Sequence, residues 1–186
     1  MIKAHKIRLH PTPEQAVYFA KAAGTARFVW NWALAEWNRQ YEAGEKPTAL
    51  KLKKHFNEIR RVQFPWTWEV TKNASDQPFL DLGKAFTAFF AGRARRPKFK
   101  SKKRSKPSFY LANDQFELLD HRIWIPKLGW VNMAENLRFP GKITGHVSPK
   151  RRTGGSSVSR WNCLMRFQRT NRRLLASMWA STAWRP

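Results

Sequence analysis

The hydrophobic pattern of this chain changes from helical to strand-like at a run of basic residues between positions 92 and 106. From residue 13 up to the run, apolar residues recur at the three- and four-residue spacing of amphipathic helices; after it, they alternate as in half-buried strands. The run itself holds nine Lys or Arg residues and no Asp or Glu. Because one element cannot serve both periods, we expect an α+β chain whose helical and strand-rich parts are joined by a basic linker.

Four helical segments are predicted before the basic run. Thr12 and Gln15 form a capping-box pattern at the start of the first, and Gly24 is expected to end it. Pro78 should kink or restart the fourth helix. The segments cover residues 13–23, 25–43, 49–61 and 66–91. The first pair permits a helix-turn-helix interpretation, although the aromatic residues of the second helix favour packing over reading of a DNA groove.

Strands are predicted on both sides of the helices. Residues 5–9 alternate between apolar and basic side chains, which indicates a short first strand. Four further strands are expected at residues 108–112, 115–119, 122–126 and 129–133. Another should begin at Lys142, but the periodicity is lost from Gly145 onward.

The charge of the chain points to a polyanionic partner. The formal net charge is +24 over 186 residues, and the hydrophobic fraction of 42% is ample for a core. Such a charge favours nucleic acid and fast electrostatic capture, although ribosomal and membrane-surface proteins share it. No apolar run is long enough to span a membrane, so we expect a cytoplasmic protein.

No catalytic or metal site is expected in this sequence. Cys163 is the only cysteine, so neither a disulfide framework nor a cysteine-based zinc site can form. The five histidines and twelve carboxylates show no spacing typical of metal ligands or of an acid–base pair. We therefore predict no metal, no cofactor and no catalytic residue.

The basic run is the strongest binding signal. Its Lys and Arg side chains can contact phosphates, and Phe99 and Phe109 add rings on which bases could stack. The alternative is a solvated, flexible linker. The density of the run and its lack of carboxylates favour binding.

Five motifs in order carry a resemblance to a known family. They are Lys6-Ile7-Arg8-Leu9-His10-Pro11-Thr12-Pro13-Glu14-Gln15, the stretch 24–34, the stretch 81–86 closed by Phe89-Phe90, Arg96-Pro97-Lys98-Phe99-Lys100, and Pro126-Lys127-Leu128-Gly129-Trp130-Val131. From His5 to Gly145 the chain thereby resembles the TnpB (OrfB) family of RNA-guided nucleases carried by insertion sequences.

The resemblance implies a helical recognition bundle inserted into a small, wedge-like antiparallel β-barrel. The expected divisions are a first wedge strand (1–10), a helical recognition unit (11–92), a basic linker (93–106), wedge strands (107–145) and an irregular basic tail (146–186). DNA and a guide RNA are the implied partners, with base pairing supplying sequence specificity. The expected nucleic-acid-binding residues are Arg27, Lys72, Gln77, Arg95, Arg96, Lys98, Lys100, Lys102 and Lys103.

The chain departs from the family at its end, where a RuvC nuclease with three acidic ligands and a four-cysteine zinc ribbon should follow. Met178 and Trp179 have single codons that, shifted by two bases, contribute to a Val-Asp-Val-Gly-like string typical of the first RuvC strand. We therefore expect a frameshift near residues 145–150 and a nucleic-acid-binding fragment that cannot cleave. The alternatives are a stand-alone DNA-binding repressor and an inert pseudogene product.

Overall fold

Three α-helices and seven strands make up the part of the chain that the structure describes, residues 2–112, 114–136, 138, 142–150 and 160–168 of a computed structural model. The helices are α1 (Pro13–Glu42), α2 (Ala49–Gln63) and α3 (Lys72–Phe90), with a short 3-10 helix at Pro65–Glu69 before α3. The strands are β1 (Ile2–His10), β2 (Phe109–Leu111), β3 (Glu117–Leu119), β4 (Arg122–Ile125), β5 (Gly129–Met133), β6 (Lys142–Lys150) and β7 (Arg160–Gln168).

Helix α1 is one helix of 30 residues where two were predicted. Its capping box is confirmed: Thr12 N donates to Gln15 Oε1 at 3.0 Å, and Gln15 N donates to Thr12 Oγ1 at 3.3 Å. The predicted end at Gly24 is wrong. Glycine costs a helix interior about 0.5–1 kcal/mol, and the burial of the neighbouring Ala23 and Thr25 offsets that cost. A turn between helices appears only at residues 43–48.

The fourth predicted helix is divided at a different place from the one expected. The 3-10 helix ends at Glu69, and α3 then runs without interruption through Pro78. Pro78 lacks an N–H to donate to the preceding turn, but it is buried together with its neighbour Phe79. Packing therefore keeps α3 continuous where the local sequence predicts a restart.

All seven strands belong to one antiparallel sheet, in the order β2-β6-β7-β1-β5-β4-β3. Strand β1 joins its two parts, because Ile2–Arg8 pair with β7 while Leu9 and His10 pair with β5. The predicted α+β class is confirmed, and the sheet curls into a half-barrel. The three helices lie between β1 and β2 in the sequence, so the helical unit is inserted into the sheet as expected.

Strands β6 and β7 correct the predicted irregular tail. They pair over nine positions, from Lys142 with Gln168 to Lys150 with Arg160. Along β7, Trp161, Cys163 and Met165 are buried at alternate positions, as in a strand with one face on a core. The expected irregularity from residue 146 is therefore wrong for 146–150 and 160–168. The codon argument at residues 178–179 lies outside the described residues.

Helix α1 contributes to two separate hydrophobic cores. Its first half packs on the sheet, and its second half packs between α2 and α3. The sheet core includes Ile7, Leu9, Phe19, Leu111, Ile123, Ile125, Val131, Met133, Cys163 and Met165. The helical core consists of Val29, Trp30, Ala33, Leu34, Trp37, Leu52, Phe56, Phe79, Leu82 and Phe86.

Candidate nucleic-acid interface

The basic segment, residues 93–106, follows the second half of α1 in the opposite direction. Arg96 Nη2 donates to Asn38 Oδ1 at 3.0 Å, and Trp30 Nε1 donates to the carbonyl oxygen of Lys98 at 3.0 Å. Asn31 makes two bonds to Lys100: its Nδ2 donates to the Lys100 carbonyl at 2.9 Å, and its Oδ1 accepts from the Lys100 N–H at 2.8 Å.

These bonds fix the backbone of the segment and leave most of its charged groups in solvent. The three anchoring residues, Trp30, Asn31 and Asn38, lie within about two turns of one helix, so they present a single edge to the segment. The alternative of a flexible linker is therefore wrong for residues 96–100. Fixed backbone with exposed Lys and Arg side chains is an arrangement suited to a phosphate chain.

Lys100 differs from the other cations of the segment. Its Nζ lies 3.9 Å from the centre of the Trp30 ring, a cation–π contact. Burial lowers the pKa of the Lys100 ammonium, and the nearby Asp81 carboxylate acts in the opposite direction. Lys100 is thus a positioned charge at the place where the segment crosses the gap between α1 and α3.

A donor-rich cleft opens at that crossing, which we name the polar cleft. Its polar lining includes Arg27 of α1, Asn73, Gln77 and Asp81 of α3, and Lys100. Gln77 Nε2 donates to Asp81 Oδ1 at 2.8 Å, which fixes the amide and satisfies one oxygen of the carboxylate. The Nδ2 of Asn73 is buried and has no hydrogen-bond partner among the described residues. A buried donor without a partner is costly, so the cleft is chemically prepared for an acceptor such as a phosphate or base-edge oxygen.

The polar cleft brings three of the nine predicted residues together: Arg27, Gln77 and Lys100. Arg96 and Lys98 do not line the cleft; they lie along α1, where Arg96 bonds Asn38 and the Lys98 carbonyl accepts from Trp30. Lys72 stands at the exposed start of α3, with its Nζ 4.0 Å from Asp76 Oδ2. The remaining three, Arg95, Lys102 and Lys103, have exposed side chains on the segment and do not line the cleft.

Sequence reasoning missed the uncharged part of this site. Asn31 and Asn38 anchor the segment, and Asn73 supplies the unpaired donor in the cleft. Asn31 lies between Trp30 and Trp32 in the sequence, but successive residues lie on different faces of a helix, so no periodic signal marks it. Nothing in the local sequence marks Asn73.

Among the described residues, no group of three or more His, Cys, Asp or Glu side chains is placed to hold a metal ion. None of the described helices is long and apolar enough to cross a membrane.

Comparison with known proteins gives matches that span most of the chain. Residues 1–46 match the "Helix-turn-helix domain" model of the OrfB proteins of IS605-type elements. The chain is 30% identical over 162 residues to "Putative RNA-guided DNA endonuclease InsQ" of Escherichia coli (strain K12). It is 27% identical over 127 residues to "Putative RNA-guided DNA endonuclease" of Streptomyces pristinaespiralis.

Each match covers a larger share of this chain than of the relative. The first covers 86% of this chain but 39% of its relative, and the second covers 67% and 32%. The chain thus spans about two fifths of one relative and about a third of the other. Because 86% of 186 residues is about 160, the first match reaches at least to about residue 160. The frameshift expected at 145–150 stays a prediction, because this coverage gives no identity for those positions.

The matched helix-turn-helix range has a specific geometry here. It contains β1 and α1, and the turn after α1 comes only at its end. The match of a family model to the N-terminal residues and the similarity to two relatives over most of the chain confirm its resemblance to the TnpB (OrfB) family.

Proposed function

We propose that this chain is the nucleic-acid-binding part of a transposon-encoded, TnpB-like RNA-guided DNA endonuclease, and that it binds DNA together with a guide RNA. The observation that carries this proposal is the basic segment, held by its backbone against α1 with its charges exposed. The printed names of both relatives support the choice of DNA and RNA among polyanions.

The proposed contacts divide between two kinds of recognition. Arg95, Arg96, Lys98, Lys102 and Lys103 would bind phosphates, which adds affinity and salt dependence without sequence choice. Arg27, Gln77 and Lys100, in the polar cleft, would meet a base edge or a single fixed phosphate, and Asn73 joins them in this role. Lys72 would contact the backbone of the same nucleic acid from the start of α3.

We further propose that the chain does not cleave nucleic acid by itself and that it acts in the cytoplasm. Support comes from the described residues, in which no acidic cluster suited to divalent metal is found. Two-metal hydrolysis of a phosphodiester needs such a cluster. Incubation with single- and double-stranded DNA, guide RNA and Mg²⁺ or Mn²⁺ should yield no product, and cleavage above a no-protein control would contradict this part.

The salt dependence of binding tests the role of the basic segment. In a triple variant, Lys98, Lys102 and Lys103 are replaced by alanine, while Lys100 is kept because it packs on Trp30. Each phosphate contact with duplex DNA contributes about 0.9 to the slope of log K against log salt. Loss of three contacts should reduce the slope by about 2.7, measured by fluorescence anisotropy from low to moderate salt.

A matched variant removes the same charge elsewhere. Lys46, Lys51 and Lys54 are exposed, lie at or near the start of α2, and are not part of the segment. Their replacement by alanine should change the slope by less than one. Equal changes in the two variants would mean that only net charge matters, and the proposed interface would be wrong.

The two alternative functions make different predictions in the same assay. A stand-alone repressor would bind a defined DNA site with the same affinity whether or not RNA is present. An inert product would bind neither and would show no protected fragment in limited proteolysis. We expect DNA binding that is strengthened by the guide RNA, and a protected fragment that contains both hydrophobic cores.

A further inference from the structure

A ladder of stacked aromatic rings leads from the helical core to the surface. The rings of Trp37 and Phe86 are nearly parallel, with centroids 4.2 Å apart and planes 7° apart. Phe86 stacks in turn on Phe90, one helical turn further along α3, at 6.0 Å and 25°. Trp37 and Phe86 are buried, whereas Phe90 is 65% exposed. The ladder therefore ends in a ring that faces solvent.

A cleft of about 190 Å³ lies beside this last ring, and we name it the ring cleft. Its lining is almost entirely aromatic and comes from the C-terminal ends of α1 and α3, with one cation at the rim. The lining residues are Trp37, Asn38, Tyr41, Phe86, Phe89, Phe90 and Arg96. Tyr41 is 61% exposed, so two large rings border the opening.

The basic segment begins directly at the ring cleft. Gly92 has φ +68°, a left-handed conformation that turns the chain after α3, and Arg93 N donates to Ala88 O at 2.9 Å. Arg93, Arg95 and Arg96 thus follow the exposed Phe90 within six residues. Arg96 is held at the rim by its bond to Asn38. An exposed π-surface therefore adjoins a row of cations.

We propose that the ring cleft binds an unpaired nucleobase of a single-stranded nucleic acid whose phosphates lie along the basic segment. The inference rests on the proposed function and adds that part of the ligand is unpaired. A nucleobase extends the Trp37–Phe86–Phe90 ladder by one more flat ring, and the arginines beside it neutralise the flanking phosphates. Charge complementarity distinguishes this occupant from an apolar peptide, which would gain nothing from three adjacent arginines.

The test compares three ligands on Phe90→Ala at one ionic strength: an oligo-dT strand, an abasic strand of the same length, and a duplex. Stacking of one base on an aromatic side chain predicts about tenfold weaker binding of oligo-dT. Binding of the abasic strand and of the duplex, and the salt slope for oligo-dT, should stay unchanged. Phe90→Trp keeps a flat ring and should restore oligo-dT binding.

Leu50→Ala is the matched control, since Leu50 is a 72% exposed apolar residue of α2 outside the cleft. It should bind all three ligands like the unaltered chain. The proposal is overturned if Phe90→Ala leaves oligo-dT binding intact, or weakens abasic and duplex binding as much. It is also overturned if sedimentation shows a dimer that Phe90→Ala abolishes without loss of oligo-dT binding.

The same data separate this inference from the proposed function. If the unaltered chain binds none of the three ligands, both fail. If it binds all three and only the Phe90 effect is missing, the ring cleft fails and the basic segment stands.

Discussion

The two hydrophobic cores share helix α1 but differ in what they are made of. The sheet core is mostly aliphatic: its strands supply Ile, Leu, Val and Met side chains, and α1 supplies Tyr18, Phe19 and alanines. The helical core is built around stacked rings such as Trp37 and Phe86. Its buried residues pack against others that are partly exposed. Among the described residues, the helical core reaches the surface through a continuous aromatic path that ends at Phe90.

This difference in composition goes with a difference in role: the sheet core mainly supports the fold, and the helical core also carries residues proposed to bind nucleic acid. The sheet core holds β1, β7 and the first half of α1 together, and two of its residues, Ala23 and Phe109, also line the polar cleft. The helical core carries Trp30, which contacts both Lys98 and Lys100, and Phe90, which borders the ring cleft. We infer that changes in the sheet core away from Ala23 and Phe109 act on stability alone, whereas changes at the edge of the helical core also act on binding.

The largest expected effect comes from emptying either core. Phe19→Ala in the sheet core and Phe79→Ala in the helical core each remove a ring that is at most 1% exposed. Each should lower the free energy of unfolding by about 3–5 kcal/mol. Because α1 crosses both cores, each variant should still unfold in a single transition by far-UV circular dichroism and tryptophan fluorescence in urea.

Val17→Ala serves as the control for that pair, since Val17 is an exposed residue of α1. Its effect should be within about 0.5 kcal/mol. Two separate transitions in either core variant would show that the cores unfold independently, and the shared helix would then not couple them.

Alkylation of Cys163 tests the sheet core next. Burial raises the pKa of this thiol to about 12, and its backbone lies between β1 and β6. Iodoacetamide at pH 8 should react at least about 100-fold more slowly with the folded chain than in urea. A Cys163→Ser chain carrying Val62→Cys, at a highly exposed position of α2, should react at the same rate in both. Rapid labelling of Cys163 without urea would restore the predicted irregular tail at 160–168.

The smallest expected effect concerns the attachment of the basic segment. Asn31→Ala removes two hydrogen bonds to Lys100 without changing the charge. Trypsin should then cut within residues 93–106 a few-fold faster, and DNA affinity should fall a few-fold with an unchanged salt slope. Asn57→Ala, on the exposed face of α2, should do neither. A changed slope would mean that Asn31 does more than hold the backbone.

Local signals predicted much of the fold. Thr12 and Gln15 form the expected capping box, and the strand predicted at 129–133 coincides with β5. These features depend on residues within a few positions of one another, which a sequence pattern contains directly. The resemblance to TnpB proteins added what periodicity cannot supply, the insertion of the helices into the sheet.

The predictions that failed all concern features that depend on tertiary contacts. Gly24 and Pro78 have breaking propensities that burial overrides, and β7 owes its order to partners on β1 that lie far away in the sequence. In the candidate site, the positive charges of the segment were evident, but their attachment depends on Asn31 and Asn38, which lie 69 and 58 positions from their partners. Neutral side chains with long-range roles leave no periodic trace.

The pairing of β1 with β7 has a consequence for synthesis on the ribosome. Ile7 emerges early, but its partner Cys163 follows about 150 residues later. At about 5–20 residues per second, that delay lasts roughly 8–30 s. The three helices, whose contacts are local, can assemble in this interval. During this interval the apolar side chains of β1 lack their partner strand β7. The newborn polypeptide is therefore most exposed to aggregation and to chaperones at this time.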